Sequence, residues 1–139
     1  MIILDTNVIL EPLRRSPDPA VARWLDDQAQ SSLYLTALTV AELCTGVEML
    51  PGERRRDNLR QRLENDVFPF FADRVLPFNL AATQAWAEIQ TEARRRGRPL
   101  PVMDSLIASI ARVHGFALAT RNIKDLESTG VTLINPWTD

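Results

Sequence analysis

The stretch that most constrains this chain is its front, Ile2-Ile3-Leu4-Asp5-Thr6-Asn7. Three large aliphatic residues in succession, with no polar residue alternating among them, predict a strand buried on both faces. The run stops at a carboxylate, and an amphipathic pattern follows. In an open parallel sheet, ligands sit just beyond the carboxyl ends of the strands. Asp5 is therefore placed where chemistry is expected, and its structural alternative is the N-cap of the next helix.

The rest of the chain alternates helix and strand signals. Asn7 to Leu13 reads as a short helix, and Ser16-Pro17-Asp18-Pro19 breaks it. Ala20 to Gln30 reads as a helix whose inward face carries Val21, Trp24 and Leu25. Leu33 to Leu35 is a second strand. Thr36 or Thr39 can cap the next helix, which carries Glu42 and ends near Leu50, before Pro51-Gly52. A polar helix from Glu53 to about Asp66 and the apolar run Val67 to Phe71 follow. Arg74 to Phe78 is a third strand, set at an edge or a strand end by Pro77. Leu80 to Arg96 is a helix stopped by Gly97 and Pro99, and Pro101 to His114 is a very apolar one closed by Gly115. Phe116 to Thr120, a helical turn at Ile123 to Glu127, and Val131 to Ile134 complete the order. Such alternation predicts an α/β fold with a central parallel sheet of about five strands and right-handed crossovers.

At 139 residues, 45% hydrophobic and 24% charged, the chain is expected to be one globular domain, residues 1–139. No apolar run reaches the length of a membrane span. The front lacks a basic segment and a small-residue cleavage site, so a cytoplasmic location and no membrane association are expected. Cys44 is the only cysteine, which excludes an internal disulfide and a multi-cysteine zinc site. Formal net charge is −2, and fifteen of the sixteen basic residues are arginine. Two clusters stand out, Arg54-Arg55-Arg56 with Arg60 and Arg62, and Arg94-Arg95-Arg96 with Arg98. They fit either solvated helix faces or a phosphate-binding rim.

Four residues form the candidate site. Glu42 shares a helix side with Leu38, Thr45 and Met49, so its carboxylate is expected to be poorly solvated or attached to something. Asp104 opens a helix whose run Leu106 to Ala111 carries no charge, and aspartates buried in such places are rare without a partner. Ala108 and Ala111 on the same face leave room beside it. Asn122 lies two residues past the fourth strand, the position equivalent to Asp5, and with Asp125 it also fits a capping pair. Carboxylates meeting at one sheet end repel, by about 4 kcal/mol for a pair ~4 Å apart at an effective dielectric near 20. No lysine is placed to neutralise them. A hard divalent cation would, and oxygen-only ligands select Mg²⁺ or Mn²⁺ over zinc. Such a site, without a catalytic histidine, suits phosphodiester hydrolysis.

With those residues in view, the chain resembles the PIN-domain ribonucleases, specifically the VapC- and FitB-type toxins of bacterial toxin–antitoxin pairs. The likeness runs from Met1 to Trp137 and rests on several short pieces in order. These are Leu4-Asp5-Thr6-Asn7, Leu38-Thr39-Val40-Ala41-Glu42-Leu43, Asp104 opening its apolar helix, Thr120-Arg121-Asn122 with Asp125-Leu126, and Asn135-Pro136-Trp137. The resemblance implies a three-layer α/β/α PIN-like fold. It implies that Asp5 and Asp104 bind Mg²⁺ or Mn²⁺ directly, and that Glu42 holds a metal-bound water or a second ion. Thr6, Thr120 and Asp125 would support the site, and Arg121 would bind substrate. The family's fourth acidic position falls on Asn122, which adds no charge, so weaker binding of a second ion is expected. The implied partners are a structured RNA, transfer or ribosomal, a second copy of the chain, and a small antitoxin, in a tetramer or larger assembly.

Other readings fare worse. A haloacid-dehalogenase-type phosphatase needs a second Asp where Asn7 stands. A response-regulator receiver wants adjacent acids after the first strand and a strand-end lysine. A Ser–His–Asp hydrolase would have to use His114, which has no nucleophile-elbow motif nearby. The alternative from a different class is a catalytically inactive PIN domain that binds RNA or a protein, and Asn122 is the residue that favours it.

Overall fold

The aliphatic run at the front becomes the middle strand of the sheet. In the computed structural model, which describes residues Met1–Asp139, five strands form a parallel sheet: β1 (Ile2–Leu4), β2 (Leu33–Thr36), β3 (Val75–Leu76), β4 (Ala117–Ala119) and β5 (Leu133–Ile134). Their order is β3-β2-β1-β4-β5, with Ile3 opposite Tyr34 on one side and Leu118 on the other. Seven α-helices connect them: α1 (Thr6–Leu10), α2 (Pro19–Asp26), α3 (Ala37–Glu48), α4 (Glu53–Arg62), α5 (Leu80–Arg95), α6 (Val102–His114) and α7 (Ile123–Leu126).

Strand period divides the core in two. Leu4, Leu33, Leu35 and Ala119 face one side, where Val8 and Ile9 of α1 and Leu43 and Val47 of α3 cover them, with Leu63 and Phe71 beyond. Ile3 and Leu118 face the other, against Ala82 of α5 and Ile107, Ala108, Ile110 and Ala111 of α6. Each buried aliphatic side chain contributes about 1.5–3 kcal/mol, so the double cover is what holds β1 at the centre. The architecture is the three-layer α/β/α sandwich expected from the sequence.

The topology creates a switch point. From β1 the chain steps outward through β2 to β3, then returns over the sheet through α5 and α6 to lay β4 on the other flank of β1. The carboxyl ends of β1 and β4 thus lie side by side, and the Asp5 N–H extends the ladder to Ala119 O at 2.9 Å. α6 starts at the same end. Its buried Ser105 accepts the Trp86 indole N–H at 2.9 Å and donates to Val102 O at 2.6 Å, which ties it to α5. Gly115 closes α6 with φ of 66°, a conformation that favours glycine.

Several boundaries differ from expectation for local reasons. α2 stops at Asp26, because Gln28 turns its amide back to Trp24 O at 3.0 Å and a 3-10 turn, Gln30–Ser32, follows. α4 is α-helical only to Arg62; Leu63–Val67 is a π turn, closed by the Phe68 N–H on Leu63 O at 2.8 Å. The wider turn accompanies burial of both Leu63 and Phe71. β3 is cut to two residues at the sheet edge, just before Pro77, which has no N–H to donate. β5 is shortened to Leu133–Ile134 because the preceding segment turns at Gly130, with φ of 77°, and at Thr129, which donates to Leu126 O.

Candidate active site

Asp5 is the residue on which the switch point closes. It caps α1, as its position predicts, by accepting the Thr6 N–H on Oδ1 at 2.9 Å. Its other oxygen, Oδ2, accepts the hydroxyl of Thr120 at 2.8 Å, from the neighbouring strand end. Only 4% of Asp5 is exposed. Burial pushes its carboxyl above the ordinary carboxylate range, the Thr120 and Thr6 hydrogen bonds pull it partly back, and the charge on Glu42 pushes it up again.

Glu42 comes in from α3. The Thr6 hydroxyl donates to its Oε1 at 2.7 Å, a contact spanning 36 residues of sequence. Its attachment is thus to the strand-end segment and not to its own helix side. That side is open: Met49, one of the neighbours used to argue for poor solvation, is 77% exposed. Asp104, half-buried in the first turn of α6, accepts the side-chain amide of Asn122 on Oδ2 at 3.1 Å. Burial raises its carboxyl, the charge on Asp5 raises it further, the Asn122 amide lowers it, and exposed Asp125 adds a last repulsion.

Asn122 occupies the N-cap position of α7, yet its side chain makes no capping hydrogen bond. The capping pair with Asp125 does not form: the side chain is turned towards Asp104, and the backbone N–H that Asp125 would accept goes elsewhere. The Asn122 N–H in turn donates to the Thr120 hydroxyl at 3.1 Å. One hydrogen-bonded chain therefore runs Glu42, Thr6, Asp5, Thr120, Asn122, Asp104. It gathers side chains from α3, the β1–α1 junction, the end of β4 and α6.

What this arrangement lacks is a fixed positive charge. The seven ion pairs of the chain engage other carboxylates, and none reaches Asp5, Glu42 or Asp104. The donors that hold the acids are hydroxyls, an amide and a backbone N–H, which orient a carboxylate without neutralising it. Asp104 Oδ1 and Glu42 Oε2 carry no hydrogen bond from the protein. No three side chains among Asp, Glu, His and Cys stand close enough together to ligate one ion jointly. The donor set is nonetheless all oxygen, and Mg²⁺ commonly keeps several waters and takes only one or two carboxylates. The chemistry of the residues present fits a hard divalent cation.

One further residue, Glu11, escaped the reading of the sequence. Glu11, in the 3-10 turn after α1, is buried, and it accepts Arg14 Nη1 at 3.2 Å and the Asp18 N–H at 3.4 Å. The Glu11/Arg14 spacing of three was the available signal. Trp137 packs partly on the core and carries the Arg121 guanidinium 4.8 Å above its ring.

Comparison with known proteins agrees with this geometry. The sequence profile of the PIN domain matches residues 2–130. The plasmid stability protein StbB of Pseudomonas syringae pv. tomato is 46% identical over 137 residues, 99% of each chain. The VapC ribonuclease Y4jK of Sinorhizobium fredii is 44% identical over 137 residues, 99% of this chain and 98% of its own. The crystal structure of FitAcB from Neisseria gonorrhoeae superposes with a TM-score of 0.96 at 40% identity, each chain covered in full. The chain belongs to the PIN-domain family. Within it, the relatives are the VapC/FitB-type toxin–antitoxin ribonucleases. No helix is long and apolar enough to cross a membrane.

Proposed function

We propose that residues 1–139 form a single PIN domain that acts as a divalent-metal-dependent endoribonuclease, the toxin of a toxin–antitoxin pair. The observation that carries this reading is the Asp5–Asp104 pair. Both carboxyls are raised by burial, Asp5 further by the charge on Glu42 and Asp104 further by the charge on Asp5, at the switch point of the sheet, with no arginine neutralising either. Asp5 and Asp104 would hold Mg²⁺ or Mn²⁺. Such an ion, when bound, supplies Lewis acidity that activates water and offsets charge on the phosphate and leaving oxygen.

The chain's own residues do the positioning. Thr6 fixes Glu42 Oε1 and leaves Oε2 to orient the attacking water and accept its proton. Thr120 locks the Asp5 carboxylate from the side, and Asn122 fixes Asp104 through Oδ2, leaving Oδ1 without a hydrogen bond from the protein. Because Asn122 replaces a carboxylate of the family pattern, the site is read as holding one ion. Asp125 adds negative potential, and the exposed Arg121 offers its guanidinium to the substrate backbone. The substrate class is structured RNA, transfer or ribosomal. The working assembly is a homodimer bound to a small antitoxin, as a tetramer or larger.

The test is cleavage of transfer and ribosomal RNA by purified protein with Mn²⁺. Cleavage at discrete sites, abolished by EDTA and in Asp104→Ala, is expected. RNA left intact by the wild-type protein would replace this reading with that of an RNA- or protein-binding module.

A further inference from the structure

Beside the acidic site lies a feature of opposite sign. A groove of about 1190 Å³ is lined by Asn7 of α1, Arg14 and Arg15 beyond it, Arg55 of α4, and Arg121 with Trp137. It adjoins the site through sequence neighbours, since Asn7 follows Thr6 and Arg121 precedes Asn122. Four guanidiniums line it against one carboxylate, Glu11, in a chain whose net charge is −2. The lining of the groove is therefore locally positive.

Two of the four arginines are held in place. Glu11 is 5% exposed and anchored by the Asp18 N–H, and it holds Arg14 at 3.2 Å while that side chain stays 62% exposed at the rim. Arg121 lies over Trp137, a cation–π contact at 4.8 Å. Arg15, Arg55 and Arg121 have no carboxylate partner. A guanidinium fork matches phosphate oxygens bidentately. Trp137, the one aromatic residue lining the groove, carries Arg121 over its ring and offers no run of aromatic faces on which successive bases could stack.

We propose that this groove is the track that leads the RNA backbone to the acidic site, with Arg14, Arg15, Arg55 and Arg121 gripping phosphates and leaving the bases unread. The inference rests on the ribonuclease reading. Glu11 and Trp137 act in it as positioning residues for Arg14 and Arg121. An acidic protein segment is the competing occupant, and the test separates the two.

Binding of a fluorescein-labelled oligoadenylate to the full chain is measured by anisotropy over a range of KCl, in EDTA so that nothing is cut. Four phosphate contacts predict a slope of log K against log salt near −2.8, at ~0.7 per contact. Arg14→Gln, Arg15→Gln and Arg55→Gln should each flatten it by about 0.7. Arg94→Gln, exposed on α5 across the sheet, should leave it unchanged. An unchanged slope in the Arg14→Gln/Arg55→Gln double variant overturns the proposal, as does displacement of the RNA by polyglutamate of equal charge. The two readings fail separately. Flattened slopes without Mn²⁺-dependent cleavage retain the track and remove the nuclease. Cleavage with kcat and KM untouched in the double variant retains the nuclease and removes the track.

Discussion

Thr120→Val is the substitution that probes the site most sharply, because it removes one hydroxyl and preserves side-chain shape. Thr120 is fully buried, donates to Asp5 Oδ2 at 2.8 Å and accepts the Asn122 N–H at 3.1 Å. A hydrogen bond to a charged group contributes about 1.5–3 kcal/mol. The half-buried Asn122 N–H loses an acceptor at the same time, so a net loss of about 2–3 kcal/mol is expected at neutral pH. For a chain of this size that lowers Tm by roughly 6–10 °C. The loss depends on pH in a defined direction. The Thr120 bond lowers the Asp5 carboxyl, so the variant's folded state holds its proton to higher pH than the wild type's. Where the variant is protonated and the wild type is not, the variant's stability falls with rising pH and the wild type's no longer does. The difference therefore grows as pH rises above the ordinary carboxylate range and then levels off. Urea unfolding of both proteins at a series of pH values measures it. A deficit that is constant with pH, or below about 0.5 kcal/mol at neutral pH, would refute the view that this hydroxyl holds a buried carboxylate.

Three other outcomes follow from the same geometry. Asp104→Asn should abolish Mn²⁺-dependent RNA cleavage while leaving the metal-free protein as stable as wild type or more so, by at most about 1 kcal/mol since the group is half exposed; a clear loss in urea unfolding would contradict this. Wild-type stability should decline as pH rises from the ordinary carboxylate range through the raised Asp5 and Asp104 values, because the folded state holds more protons there, and Asp104→Asn should flatten that decline. Mn²⁺ should raise Tm of the wild type in a concentration-dependent manner, by about 2.7 kcal/mol of stability at a hundred times Kd, and should leave Asp5→Asn unmoved in a thermal scan.

What was readable in the chain follows from the range of each interaction. Ile2-Ile3-Leu4 forms β1, the central strand, because two helical layers bury it, and that need is visible as unbroken hydrophobicity. Gly115 forms its left-handed cap for a reason local to one residue. Strand and helix ends were less legible, since they depend on competing partners: Gln28 turning back on Trp24, or Thr129 on Leu126. The site shows the same division. Asp5 and Asp104 stand out by their position against apolar runs. The contacts that orient the site's side chains join residues 36, 115 and 18 apart, and no local pattern encodes them. Asn122 makes the point directly. Its spacing to Asp125 is that of a capping pair, and the amide goes to Asp104 instead.

The choice of those orienting donors carries the functional argument further than the acids themselves. Fifteen arginines were available to this chain, and an arginine beside Asp5 or Asp104 would have settled their charges permanently. The fold brings hydroxyls and an amide to them instead, and places three guanidiniums without a carboxylate partner, Arg15, Arg55 and Arg121, in the adjoining groove. Neutral donors fix where the oxygens point and leave the repulsion between the carboxylates in place. In the proposed site that unrelieved repulsion would give a divalent cation its affinity for the pair, and it is also why the metal-free protein should gain from losing one of the two charges. On the proposed reading, stability and catalysis make opposite demands on Asp104, and the Asp104→Asn variant, measured both ways, separates them.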